Sequence, residues 1–260
     1  MNIRTVLLLS SLWVVAPFAQ AAEWIAQEYP VKNVNEIHVG GGAVIEITQS
    51  DSEYLRVEAD PEVMKRVSVD LTGGRLTLGV KSKSGGLFKW FNSDNDKLRF
   101  VVRVKALKLL ELSGAAHAAV APLNQPNFVF EASGASHAVF DGLEGKVVVI
   151  DLSGASHAVV ERIHVAQQTY GLSGAANLTI NQESSADQTK ANVSGASNLH
   201  AKPLKSKSVD VEASGASNID ISAIDTITAE ATGASNINYY GKPAAKTEAS
   251  GAGHVNAKGD

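Results

Sequence analysis

One short phrase, Ser-Gly-Ala-Ser followed by His or Asn, recurs in eight exact or near versions through the second half of this chain. Its glycines are Gly114, Gly134, Gly154, Gly174, Gly195, Gly215, Gly233 and Gly251, at intervals of 20, 20, 20, 21, 20, 18 and 18 residues. A fixed period of this length means a repeat architecture, in which each unit buries its apolar side only by stacking on its neighbours. Helical repeats need longer units, propeller blades need about twice the length, and a leucine-rich skeleton is missing. A β-solenoid fits. One coil of about 20 residues holds two or three short strands and their corners, and stacks on the next by parallel pairing about 4.8 Å away.

Side-chain alternation supports strands. Around Gly215, the positions Val209, Val211, Ala213, Ser217, Ile219 and Ile221 are apolar or small, while Asp210, Glu212, Ser214, Asn218 and Asp220 between them are mostly polar. That is a strand with one buried face. The glycine falls on the buried parity, which allows two readings. Either the opposite wall of the coil comes close there, or the chain turns tightly at the glycine. The absence of a following helix argues against a phosphate-binding loop in either case.

Ahead of the repeat, 44–48 and 54–58 alternate as strands around the turn formers 49–52. The stretches 67–71 and 76–80 flank Thr72-Gly73-Gly74-Arg75 as a hairpin. Residues 61–65 suit a single helical turn, and 98–104 leads through 107–112 into the first copy of the phrase. These elements read as irregular first coils and a β cap, with a separate small β domain as the alternative. The expected organisation is a signal peptide over 1–21 and one solenoid domain over 22–260. Within it, 22–110 forms the cap and irregular coils, and 111–260 forms eight regular coils.

The opening 21 residues carry Arg4, an apolar run from Val6 to Val15 and Ala19-Gln20-Ala21. A positive start, a short apolar core and a small-x-small site are the pattern of a cleaved secretory signal. The expected location is therefore outside the cytoplasm, in the periplasm or at the cell surface, with no membrane span once the signal is removed. One of the 23 Lys and Arg lies in that segment; the remaining 22 against 27 Asp and Glu leave a net charge of −5. Mild acidity without a basic block excludes nucleic acid as a natural partner. The chain has no cysteine and only 6% aromatic residues, so ladders and small-residue packing must hold the fold without disulfides.

Two features are candidates for contact with a partner. The segment 82–96 places Leu87, Phe88, Trp90 and Phe91 among Gly, Ser and Asp. It serves either as an exposed apolar contact or as a plug that folds back onto the rod. The second feature is the third residue after each glycine: His117, His137 and His157, then Asn177, Asn198, Asn218 and Asn236, and finally His254. In register these form one outward row. Amides can donate along such a row, and imidazoles can stack while neutral. Charged, the three rings would repel, so their protonation should shift downward. A divalent metal on His117, His137 and His157 is the sharper reading, but stacked rings point in parallel instead of converging. No metal and no cofactor is expected.

The order of a signal peptide, Gly-Gly-Gly-Ala-Val-Ile-Glu-Ile-Thr-Gln (40–49), a hairpin ending in Leu-Thr-Leu (76–78) and iterated Ser-Gly-Ala-Ser-Asn-Ile resembles a family of bacterial exported proteins. These are the putative autotransporter adhesins with a head GIN domain. The resemblance spans about residues 30–260 and implies a right-handed parallel β-helix-like fold. It supplies no catalytic or binding residue. An autotransporter needs a C-terminal membrane barrel of amphipathic strands, whereas this sequence stops at Ala257-Lys258-Gly259-Asp260 after the eighth phrase, so no such barrel is expected.

Two functions remain in view. A non-enzymatic exported module would use the ladder-lined sides of the solenoid to bind a glycan chain or another envelope protein. A polysaccharide lyase or hydrolase on the same scaffold would need clustered carboxylates. The acids that stack near the phrase are Glu131 and Asp151, followed by Gly171, so that row is expected to end at its third coil.

Overall fold

A computed structural model describes residues 24–81 and 98–259. Phe88, Trp90 and Phe91 lie outside the described residues, as does the signal segment.

The repeat forms a parallel β-solenoid. A typical coil runs through a ten-residue strand, Leu143–Leu152, a tight turn at 153–156, a four-residue strand, His157–Val160, and a corner into the next long strand, Ile163–Leu172. Each long strand pairs in parallel with those one coil before and after, and each short strand does the same. The long strand bends once in its middle. Gly145 aligns with Val165 and Val147 with Gln167, leaving Lys146 without a ladder partner. At this bend the inward parity shifts. Ile163 and Val165 point inward before it, and Gln168, Tyr170 and Leu172 after it.

The interior is a continuous core of buried side chains whose sizes vary from coil to coil. Phe128, Phe130 and Phe140 meet edge to face early in the rod, with ring centroids 4.9 and 5.8 Å apart. Along the Phe130 column the later coils carry Ile150, Tyr170, Ala191, Val211 and Ala229. Fully burying each Leu, Ile or Val contributes roughly 1.5–3 kcal/mol, so a chain with few aromatics is stabilised by many modest side chains. The polar interior positions are satisfied internally. Tyr170 donates to Gln168 at 2.6 Å, Gln168 donates to Thr189 at 2.7 Å, and Thr189 meets Ser206 at 2.5 Å.

The glycine sits in a tight turn; the close-wall reading is overturned. Gly134 and Gly154 are exposed, and φ is +76° and +71° there. The first central residue of the turn is left-handed and the alanine after it is not, as in a II′ turn. A second constraint comes from stacking. A Cβ on Gly154 would stand 2.7 Å from the carbonyl oxygen of Gly134, and the same collision recurs along the column. That carbonyl accepts the Ala155 N–H at 2.7 Å. The small buried residue of the phrase is instead the second serine: Ser156 is fully buried and donates to Ser153 O at 2.8 Å, closing the turn.

Residues 36–49 form a further coil of the same kind. Glu36–Val39 and Val44–Gln49 pair in parallel with Leu109–Leu112 and His117–Val120, and Gly41 (φ +85°) heads the glycine column. On the other side of this coil lie Arg75–Val80 and Leu98–Val104, also parallel to it. Antiparallel strands then finish the N-terminal end: Val67–Thr72 against Arg75–Val80, Tyr54–Ala59 against Leu98–Val104, and Ile25–Tyr29 against Tyr54–Ala59. The hairpin at Gly73-Gly74 (φ +62° and +88°) forms as its sequence expects, as does the helical turn Pro61–Met64, capped by Asp60. Val44–Gln49 and Tyr54–Ala59 do not pair with each other, although only a short turn divides them.

Candidate functional site

Because each coil repeats the last, every outward position becomes a column along the rod. Two columns flank the glycines symmetrically. Three residues after the glycine stands the expected row. His117, His137 and His157 are aligned, and the row continues through Asn177, Asn198, Asn218 and Asn236 to His254. The amide half is a hydrogen-bonded ladder. Asn198 donates to Asn177 at 2.8 Å, Asn218 to Asn198 at 3.0 Å, and Asn236 to Asn218 at 3.2 Å. In the imidazole half, His137 and His157 stack with centroids 5.0 Å apart and planes 8° apart, while His117 tilts away by 41° at 5.8 Å. Partial burial, then the neighbouring rings of His157 and His117, lower the pKa of His137 below its ordinary 6.5. Near-parallel rings do not converge on a common point, so this geometry is a stack.

Two residues further along, a second ladder runs beside the first. His200 Nδ1 lies 3.1 Å from Asp220, Asn238 donates to Asp220 at 2.9 Å, and Asn256 donates to Asn238 at 3.3 Å.

Three residues before the glycine stands a column that the sequence reading cut short. Glu131 and Asp151 do face Gly171, but the column starts earlier and resumes later. It runs from His38 through Glu111, Glu131, Asp151, Gly171 and Asn192 to Glu212, Glu230 and Glu248. The gap at Gly171 has a use. A Cβ there would collide with the Asp151 carboxylate, which leans across it. Burial raises the pKa of Asp151 above its ordinary 3.8. Beside the acids runs a column of hydroxyls: Ser133, Ser153, Ser173, Ser194, Ser214 and Thr232.

Between these two columns the surface is hollowed. One groove of about 420 Å³ extends from Glu111 to Ser194, and a smaller one of about 130 Å³ continues from Asn192 to Thr232. Both share Asn192 and Ser194, so the depression follows the rod. Counting back three from each glycine would have found the acids; the 21-residue coil and the Gly-Asn interruption concealed them.

A separate hollow of about 500 Å³ lies at the cap, lined by Trp24, Ile25, Arg56 and Arg99 among others. Trp24 is 45% exposed. Its arginines are already engaged, Arg99 with Glu46 at 3.1 Å and Arg56 with Glu58 at 3.0 Å. Among the described residues, no cluster of three or more His, Asp or Glu has the geometry of a metal site.

The family model for the "putative auto-transporter adhesin, head GIN domain" matches residues 33–243. The chain belongs to this family. A putative adhesin from Parabacteroides merdae superposes with a TM-score of 0.82 at 19% identity, covering 90% of this chain and 95% of that one. A putative adhesin from Parabacteroides distasonis gives 0.79 at 21%, covering 90% and 96%. A protein from the same species described as a putative lipid binding protein gives 0.79 at 20%, covering 89% and 95%. At such identities the likeness establishes the shared solenoid and nothing about ligands. No curated protein matches the chain. No helix among the described residues is long and apolar enough to cross a membrane.

Proposed function

We propose that this head GIN domain protein is an exported, non-enzymatic binding module that holds an extended glycan chain along its side groove. The mature chain, from about residue 22, acts as one solenoid unit in the periplasm or at the cell surface. One observation carries the reading: carboxylates and serine hydroxyls stand in two parallel columns along a continuous groove. Carboxylates accept hydrogen bonds from sugar hydroxyls, and serines both donate and accept. A repeating surface offers a repeating ligand the same contacts at every coil, so modest contacts add along its length. The row of His117, His137 and His157 and the segment with Phe88, Trp90 and Phe91 are further contact candidates on the same protein.

Binding to an envelope glycan array, compared between wild type and a Glu131→Arg, Asp151→Arg variant, tests this. Both side chains are outward, so the variant should fold and lose binding. Glycan binding that survives the double change, or its absence in wild type, would remove the groove from the reading; capture of an envelope protein instead would favour a protein partner. A lyase or hydrolase reading draws on Glu131 and on Asp151, whose carboxyl burial raises above its ordinary pKa. Turnover of a bound glycan, lost in the Asp151→Asn variant, would establish that alternative.

A further inference from the structure

The two ends of the solenoid are finished differently. At the N-terminal end, the coil containing Gly41 is already paired on its outer side by Arg75–Val80 and Leu98–Val104. At the other end, Ala244–Ala249 pairs with 226–231, and His254–Ala257 with 236–239. No described residue pairs with their remaining edges. All six residues of Ala244–Ala249 are exposed, whereas Ile227, Ala229 and Ala231, one coil earlier, are at most 1% exposed. A free strand edge is a template for another strand.

We propose that this edge pairs with the same edge of a second copy, giving a two-fold, tail-to-tail dimer. The register follows from three constraints. Ser250 and Ala252 donate back to Ala231 and Gly233. Bonding sides alternate along a strand, so Ala245, Thr247 and Ala249 turn their N–H and C=O groups to the free edge. A two-fold axis makes the new pair antiparallel, and inward side chains must meet inward side chains, so the axis passes through a residue. Charge then selects which one. Centred on Thr247, each Lys246 stands opposite the partner's Glu248, Ala245 opposite the partner's Ala249, and Thr247 opposite the partner's Thr247. Opposite-charge and Thr–Thr pairs are both favourable across strands. Centred on Lys246 or on Glu248, like charges would meet. Within one copy, Lys246 and Glu248 form a loose, largely exposed ion pair at 3.8 Å, which they can exchange for the equivalent pair across the interface. The N-terminal coil itself is covered. The edges left at that end, on Val67–Thr72 and Ile25–Tyr29, belong to antiparallel strands outside the repeat register. The pairing proposed here is therefore confined to the C-terminal edge and gives two copies. This inference does not depend on what the groove binds.

Sedimentation velocity of the mature chain over a wide concentration range tests it, with thermal melting as the folding control. A monomer–dimer equilibrium that weakens with salt is expected. Lys246→Glu should weaken the dimer at least tenfold, and Lys246→Glu combined with Glu248→Lys should restore it, because the swapped pair is again complementary. Thr247→Pro, which removes an edge N–H, should leave monomer. A monomer at every concentration would overturn the proposal. So would a dimer indifferent to Lys246→Glu, no rescue by the swap, or a series of higher oligomers.

Discussion

The two halves of one outward row show what the fold demands and what it leaves free. From His117 to His157 the row is a stack of rings; from Asn177 to Asn236 it is a chain of amide hydrogen bonds. The backbone beneath is the same in both halves: a left-handed glycine, an inward small residue at the turn and the same parallel register. The turn therefore sets the position, and any side chain compatible with a copy of itself one coil away can fill it. What differs is the response to protons. An amide ladder is indifferent to pH, whereas a ring stack gains repulsion when charged.

The largest expected effect lies in what the halves share. Gly154→Val and Gly215→Val each place a branched side chain at positive φ against a carbonyl oxygen of the preceding coil. Each should cost about 1–3 kcal/mol or more, lowering the melting temperature by several degrees in either half. A melting temperature within about a degree of wild type at either site would show that the column is not a common constraint.

Next comes the amide half. Asn198 both donates to Asn177 and accepts from Asn218, so Asn198→Ala removes two bonds and should cost about 1–2 kcal/mol. His137→Ala at pH 8 should cost less, because a neutral stack contributes mainly contact area. Equal losses would erase the distinction between ladder and stack.

The imidazole half should differ in pH dependence. The folded-state pKa of His137 is lowered, so below about pH 6.5 the unfolded chain binds more protons than the folded one. Stability is then fully present above that pH and declines as pH falls toward the folded value. Melting from pH 8 to 5 should show this decline in wild type and a smaller one in the His117→Asn, His137→Asn, His157→Asn variant. The smallest effect is at Asp151, whose raised pKa makes its charge a burden at neutral pH. Asp151→Asn should melt at or slightly above wild type at pH 7, with the gain vanishing below about pH 3.8.

Much of this was legible because a solenoid converts sequence period into spatial register. The spacing of the phrase alone places His137 beside His157 and Asn198 beside Asn218, and alternation identifies Val209, Val211, Ile219 and Ile221 as core. Three things were hidden. The glycine sits on the buried parity by count yet is exposed, because a two-residue turn advances the chain by an even number and preserves the alternation across it. Gly41 does not read as a copy of the phrase, because Gly-Gly-Gly-Ala lacks its serines and the cap strands separate it from Gly114. The acidic column was broken by Gly171 and Asn192 and by the one 21-residue coil, so it looked like two neighbours where the stacking makes nearly a full row. The pairing choices of Val44–Gln49 also lay beyond local signals, since its partners come from 98–104 and 117–120.

The central claim, that outward side chains stand in register and act on one another from coil to coil, is tested most directly at His137. NMR titration of the imidazoles in the intact mature protein should find His137 titrating below the ordinary imidazole value of 6.5. In the His117→Asn, His157→Asn variant, the His137 titration should move back upward, since two of the three causes of its depression are then gone. A His137 that titrates at the ordinary imidazole value, and does not move when both neighbours are replaced, would contradict the account.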